Sequence, residues 1–243
     1  MSDFTQSARY RRCQALFDRR YPDFRDAGRQ YQEAIASLLE AQTTLLDLGC
    51  GRDSLAAEQL RAACLSVGVD LDLLDLQHNR SVAYHALANG EGLPFAAASF
   101  DLLISQWVIE HLEHPQQVFL EIARVLRPGG HAVLFTTNAC NYIPLATRLV
   151  PQKLQGRLLE RFLRRPTHES FPTFYRANTR RRLALLAQRS GLQLEASSYV
   201  GNPFYLAFSP VLFRLALLFE RLTDHALLQS LKLYLIVTLH KPL

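Results

Sequence analysis

The residue types best suited to chemistry stand close together in two short stretches. The first is Leu45-Leu-Asp-Leu-Gly-Cys-Gly-Arg-Asp-Ser54. Leu45, Leu46 and Leu48 read as a buried strand that carries a carboxylate, Asp47, and breaks at once into the turn Gly49-Cys50-Gly51. Glycines there can take φ > 0 and let backbone approach a ligand closely. The second stretch is Leu65-Ser-Val-Gly-Val-Asp70. It delivers Asp70 about 20 residues after Gly51, the distance at which a carboxylate grips the hydroxyls of a ribose. A nicotinamide dinucleotide loop would run Gly-x-Gly-x-x-Gly or Ala, but here the third small residue is Ser54 and Asp53 stands beside it. Asp53 would repel a pyrophosphate. Asp47 and Asp53 suit a nucleoside with an amino group or a positive centre better.

These carboxylates need a scaffold. Residues 8–44 read as helical, with Tyr31, Ala34, Ile35, Leu38 and Leu39 forming one apolar stripe. Strand 45–48 then leads to a helix near 54–63, strand 65–70, a helix near 72–79, a strand near 82–87 and a strand at 99–105. Pro115 opens a helix with Val118, Phe119, Ile122, Val125 and Leu126 inward. Arg127-Pro-Gly-Gly130 ends it, and a strand begins at His131 and runs to Thr137. Thr179 caps a helix closed by Gly191, and strands follow at 192–200 and 231–239. Strands alternating with helices predict an α/β fold, a doubly wound, mostly parallel sheet covered on both faces.

The chain has 243 residues, 49% of them hydrophobic, enough for one well-cored domain over 1–243. Its segments are a helical extension (1–44), a ligand-binding core (45–140), an acceptor-covering loop region (141–178) and an apolar insertion (202–230). The start, Met1-Ser-Asp-Phe-Thr-Gln, has no export pattern, and the four cysteines form no Cys-x-x-Cys pair. Both point to a cytoplasmic protein without zinc or disulfides, with Cys50 and Cys140 as small buried groups. The net charge is +5, and between Lys153 and Arg189 nine arginines face only Glu160 and Glu169. That run is a solvated face, or it meets phosphate on an acceptor, a membrane surface or RNA. The insertion contains Pro203-Phe-Tyr-Leu-Ala-Phe-Ser-Pro210 and continues to Leu222. Pro210, Arg214 and Glu220 interrupt it too much for a bilayer span. It caps the core, forms a dimer surface, lines a lipophilic acceptor channel, or lies at an interface where arginines meet anionic head groups.

Six motifs in order give the chain its resemblance: Leu-Asp-Leu-Gly-Cys-Gly (46–51), Val-Gly-Val-Asp-Leu-Asp (67–72), Gly-Glu-Gly-Leu-Pro-Phe (90–95), Ser-Phe-Asp-Leu-Leu-Ile-Ser (99–105), Glu-His-Leu (110–112) and Arg-Val-Leu-Arg-Pro-Gly-Gly (124–130). The chain resembles the class I S-adenosylmethionine-dependent methyltransferases, in particular small-molecule enzymes of the ubiquinone–menaquinone type. The resemblance implies a Rossmann-like sheet of seven strands with the last antiparallel, and S-adenosylmethionine as cofactor. It implies that Gly49, Cys50 and Gly51 line the methionine part and that Asp47 reaches its ammonium directly or through water. Asp70 would take the ribose hydroxyls and Leu71 would pack on the adenine. Asn89, ahead of Gly90, would accept from the adenine amino group, and Gln106 would face the methionine end. Arg52 and Asp53 depart from the usual loop: they neutralise each other, or Arg52 meets the cofactor carboxylate.

Methyl transfer from a sulfonium needs alignment and exclusion of water, and a base only where the acceptor must lose a proton. The candidates for that base are His111, just past the fourth strand, and His168, with Glu169 and Tyr175 beside it. His111 can equally fix its loop through Glu110 or backbone, and Tyr142 and Tyr175 suit packing or lid roles. The acceptor expected is an oxygen or carbon of a small or lipid-linked molecule, with no metal, in a monomer or homodimer that is cytoplasmic or peripheral to the inner face of a membrane. The rivals are an RNA methyltransferase using residues 153–189 and a non-catalytic S-adenosylmethionine-binding protein. Phe171, Phe174 and Tyr175 sit beside prolines rather than forming a base-stacking platform, which disfavours nucleic acid.

Overall fold

The computed structural model describes residues 8–149 and 172–243. In chain order the elements are α1 (Ala8–Arg20), α2 (Ala27–Ala36), β1 (Thr44–Leu48), α3 (Ala57–Ala62), β2 (Leu65–Asp70), α4 (Leu73–His78), β3 (Tyr84–Leu87), β4 (Phe100–Gln106), α5 (Pro115–Val125), β5 (Leu126–Thr137), α6 (Tyr142–Leu149), α7 (Arg180–Arg189), β6 (Gln193–Val200), α8 (Pro210–Thr223) and β7 (Tyr234–His240). Short 3₁₀ turns stand at Ile109–His111, Pro203–Leu206 and Gln229–Leu231.

Chain chemistry explains where these elements end. Pro22 forces Tyr21 out of the helical region, so the helix expected over 8–44 is two helices. α2 stops at Ala36; Tyr31 and Ile35 are fully buried, while Leu38 and Leu39 of the expected stripe lie beyond the helix, half-buried. Asp72 caps α4, its carboxylate accepting from the Leu74 and Asp75 amides. Thr179 caps α7 by accepting from the Arg182 amide, and Gly191 closes it at φ +79. The strand expected to begin at His131 instead begins at Leu126 and includes Pro128-Gly129-Gly130. The register between β4 and β5 shifts between Phe100 and Leu102, an irregularity that gives the proline and glycines a place within the ladder.

The seven strands form one sheet in the order β3-β2-β1-β4-β5-β7-β6. β1 pairs in parallel with β2 and β4, β2 with β3, and β4 with β5. β7 runs antiparallel to β5: Gly129 N–H donates to Lys241 O, whereas Asn138 N–H, further along, donates to Leu233 O. Leu45, Leu46, Leu102, Leu103 and Ile104 are almost fully buried, as expected for parallel strands covered on both faces. β1 and β4 are neighbours although β2 and β3 intervene in sequence. Strand order therefore reverses between them, which opens a crevice at their carboxyl ends.

Two compact units divide the chain. One comprises Ala27–Thr137, Thr173–Ser198 and Leu235–Leu243 and holds most of the sheet. The other comprises Met1–Asp26, Asn138–Pro172 and Tyr199–Tyr234. Its own core gathers Cys13 and Phe17 of α1 with Ala207 and Phe213, and Tyr10, Tyr21, Phe204 and Leu217 pack around them. Cys13 and Cys50 are buried and Cys64 is exposed; Cys140, expected to be buried, is exposed as well. Cys140 falls in the turn between β5 and α6, where its amide donates to the Asn138 side-chain oxygen and its side chain is exposed.

Candidate functional site

The carboxyl end of β1 breaks into a turn pinned to β2. The amides of Gly49 and Cys50 both donate to Val69 O, at 2.8 and 3.0 Å. Gly49 (φ +74) and Gly51 (φ +48) occupy the left-handed region, but they are required for different reasons. A Cβ at Gly49 would overlap Val108 Cγ2, whereas a Cβ at Gly51 would meet no atom within 4 Å. The outer edge of the turn is therefore open. Cys50 points inward, its Sγ filling the space above Gly68. Burial, aided by the charges of Asp47 and Asp70, holds its thiol protonated and inert.

Asp70 joins the tip of this turn to the end of β2. One carboxylate oxygen accepts from the Gly51 amide at 2.8 Å and the other from the Asp72 amide at 3.0 Å. Each oxygen keeps a lone pair for a further donor. Asp47 is the opposite case. It is fully buried, and neither oxygen has a hydrogen-bond partner among the described residues. Burial pushes its pKa up to about 7, the nearby Ser54 hydroxyl pulls it down, and the charge of Asp70 raises it. The Tyr31 hydroxyl is equally buried and has no hydrogen-bond partner within 3.5 Å among the described residues; burial and Asp47 raise its phenol, and the nearby Ser105 backbone opposes them. Two orphaned polar groups thus lie beneath the glycine turn, where native proteins rarely leave any.

Two further side chains hold the turn in place. Gln106, at the end of β4, accepts from the Leu55 amide at 3.1 Å and donates to Asp53 O at 3.4 Å, so it fixes the 53–55 loop. Asn79 is buried and donates to both Cys50 O and Gly51 O, at 3.1 and 2.7 Å. Asn79 was not legible in the sequence, because it follows α4 with no motif around it. Tyr31 left a faint trace: a tyrosine in a wholly buried stripe position needs a partner for its hydroxyl. Arg52 meets neither Asp53 nor open solvent alone. It pairs with Asp75 at 3.3 Å, and because both side chains are largely exposed the pair adds little to stability.

The remaining sequence candidates follow β2, β3 and β4. Leu71 is 58% exposed, next to exposed Leu73 and Leu74. Asn89 accepts from the Glu91 amide at 3.0 Å, so one lone pair of its oxygen already closes a turn. Gly90 lies close to Leu48 and Val118, with little room for a side chain. His111 ends the 3₁₀ turn after β4 and is half-buried. His168, Glu169 and Phe171, and the basic residues from Lys153 to Arg165, lie outside the described residues.

The sequence offered Glu110 only as a partner for His111, yet it organises this end of the sheet. Its buried carboxylate accepts from the hydroxyls of Thr136 and Thr137, at 2.7 and 3.1 Å. Its backbone oxygen accepts from the amides of Phe174 and Tyr175. Asn178 donates to Thr136 Oγ1 and Thr137 O, completing the network. Burial raises the Glu110 carboxyl. Trp107 (φ +53) and Tyr175 (φ +52) stand in the left-handed region on either side of this network, and strained non-glycine backbone of this kind gathers at functional sites.

Residues 46–134 match the family described as a methyltransferase domain. Over those residues the chain is similar to methyltransferase domains. Malonyl-(acyl-carrier protein) O-methyltransferase of Enterobacter lignolyticus is 28% identical over 167 residues, 64% of this chain and 65% of that protein. The chain therefore spans less than two thirds of that relative's length. Among solved structures, geranyl diphosphate methyltransferase in complex with GPP and sinefungin superposes with a TM-score of 0.57 at 16% identity, covering 87% of this chain and 78% of that one. A 4+2 cyclase, SpnF, superposes equally well, with a TM-score of 0.57 at 16% identity over 88% of this chain and 80% of that one. At such identities the chain shares its Rossmann-like fold with these structures, and the cyclase shows that the fold is not tied to one reaction.

Proposed function

We propose that the chain binds S-adenosylmethionine at the carboxyl ends of β1, β2 and β4 and moves its methyl group to an oxygen or carbon of a small or lipid-linked acceptor. The observation that carries this reading is the Asp47 carboxyl, buried and without a hydrogen-bond partner among the described residues, beneath a glycine turn whose outer edge is open. A ligand ammonium is the donor such a carboxyl lacks. Because Asp47 is fully enclosed, water or the turn itself would mediate the contact. Asp70 would take the ribose hydroxyls with its remaining lone pairs, Leu71 would cover the adenine, and Asn89 would use its second lone pair for the adenine amino group.

When bound, the cofactor supplies an electrophilic methyl group whose transfer disperses the sulfonium charge. The protein's own contribution is positional. Asn79 holds the glycine turn, Gln106 holds the 53–55 loop that follows it, and Glu110 joins the 3₁₀ turn that carries His111 to the Phe174–Tyr175 backbone. His111 would accept a proton where the acceptor is a hydroxyl. The relative methylating malonyl-(acyl-carrier protein) is named an O-methyltransferase, which supports oxygen as the receiving atom and a small acidic or carrier-linked acceptor. Extracts incubated with the protein and isotope-labelled S-adenosylmethionine should yield a labelled product detectable by mass spectrometry. No label transfer, together with no heat of binding for the cofactor in calorimetry, would remove this reading.

A further inference from the structure

α8 has two apolar faces. Phe213 and Ala216 are buried on the inner one, where Phe213 packs with Cys13 and Phe17 of α1. At 3.6 residues per turn, Val211, Leu215, Leu218 and Leu222 fall within about 60° of one another on the opposite side. They are 66, 56, 52 and 53% exposed. A surface helix ordinarily turns a polar face to water. Here the outward strip is aliphatic along the whole length of the helix.

We propose that this strip is a docking face for an anionic lipid surface. Charge identifies the occupant. Arg214 and Arg221 are both exposed and both flank the strip on the same edge, about 70° and about 90° from its centre. From there they can extend to head-group phosphates while the leucines enter the acyl boundary. The helix's single acid, Glu220, is buried on the inner side, so no carboxylate of α8 faces outward. α1, packed against α8 in the same unit, adds five arginines against one acid, Asp18. A second copy of the chain is a poor fit, because a self-complementary contact across this face would bring like charges together. The helix would lie flat: no helix among the described residues is long and apolar enough to cross a membrane.

Vesicle flotation tests this directly and does not depend on methyl transfer. The protein should float with vesicles of phosphatidylcholine mixed with phosphatidylglycerol and stay behind with phosphatidylcholine alone. Arg214→Glu with Arg221→Glu should weaken binding on the order of tenfold or more, since each basic residue near such a surface is worth about fivefold. Leu215→Glu with Leu218→Glu should abolish flotation while leaving the thermal melt and the cofactor titration as in the wild type, because both positions are exposed. Equal binding to neutral vesicles, no binding to either kind, or unchanged binding by both double variants would overturn the proposal. So would a concentration-dependent dimer in sedimentation that the leucine double variant dissolves, which would give the face to a second copy.

Discussion

Asp47 and Glu220 are both buried carboxyls that burial pushes up to about 7, one in each compact unit, and they are otherwise opposites. Glu220 sits in α8 in the space left by Gly201, where a Cβ would overlap its carboxylate. The Asn202 backbone amide and the charge of Lys232 stabilise its ionised form, and Asp224 opposes them. Asp47 has no hydrogen-bond partner among the described residues and stands at the carboxyl end of a central parallel strand. A raised carboxyl is thus a sign of burial, and by itself does not mark a site. The missing partner and the location at the strand reversal are what single out Asp47.

The glycines beside these two carboxyls give the widest separation between the regions. Gly49→Ala forces a side chain into Val108 at φ +74. It should cost about 2–4 kcal/mol in urea denaturation, combining left-handed strain with overpacking, and should abolish calorimetric binding of the cofactor. Gly201→Ala should also destabilise, by about 1–3 kcal/mol through overlap with Glu220, yet the folded variant should bind the cofactor as the wild type does. Loss of cofactor binding in folded Gly201→Ala would erase the distinction between the units.

A smaller effect is expected from Asp70→Ala. It removes the carboxylate that joins Gly51 to Asp72 and that would hold the ribose. Cofactor affinity should fall at least about tenfold, or about 1.4 kcal/mol, in the same titration. Unchanged affinity would mean that Asp70 serves the turn alone.

The parts of this site that local sequence determines were legible in advance. Continuous leucine and valine runs marked β1, β2 and β4, and the glycines at 49 and 51 announced a turn with φ > 0. What escaped depends on partners far along the chain. Asn79 reaches a carbonyl 29 residues away and Glu110 a hydroxyl 26 residues away, and nothing around either residue signals it. Pro128-Gly129-Gly130 reads as a loop because a bulged strand and a turn use the same residues. The break before Pro22 was visible in principle, but the apolar spacing beyond it outweighed one proline.

The finest test separates the two carboxyls by pH. A carboxyl raised from its unfolded value to about 7 holds its proton more firmly in the folded protein. Its favourable contribution is full below the unfolded value and is lost as pH rises toward about 7. For Glu220 that window runs from 4.5 to about 7. Glu220→Gln cannot titrate, so the melting temperature of that variant should decline less across the window than that of the wild type. Asp47→Asn should flatten the stability profile in the same way, but it should also change binding. Pairing with an ammonium requires ionised Asp47, so wild-type cofactor affinity should climb by at most about tenfold per unit as pH approaches about 7. It should fall again above about pH 8, where the ligand's own amino group loses its proton. Asp47→Asn should lack the climb and Glu220→Gln should keep it. If both variants keep it, the orphaned carboxyl is not what receives the ammonium, and the partnerless group under the glycine turn has another role.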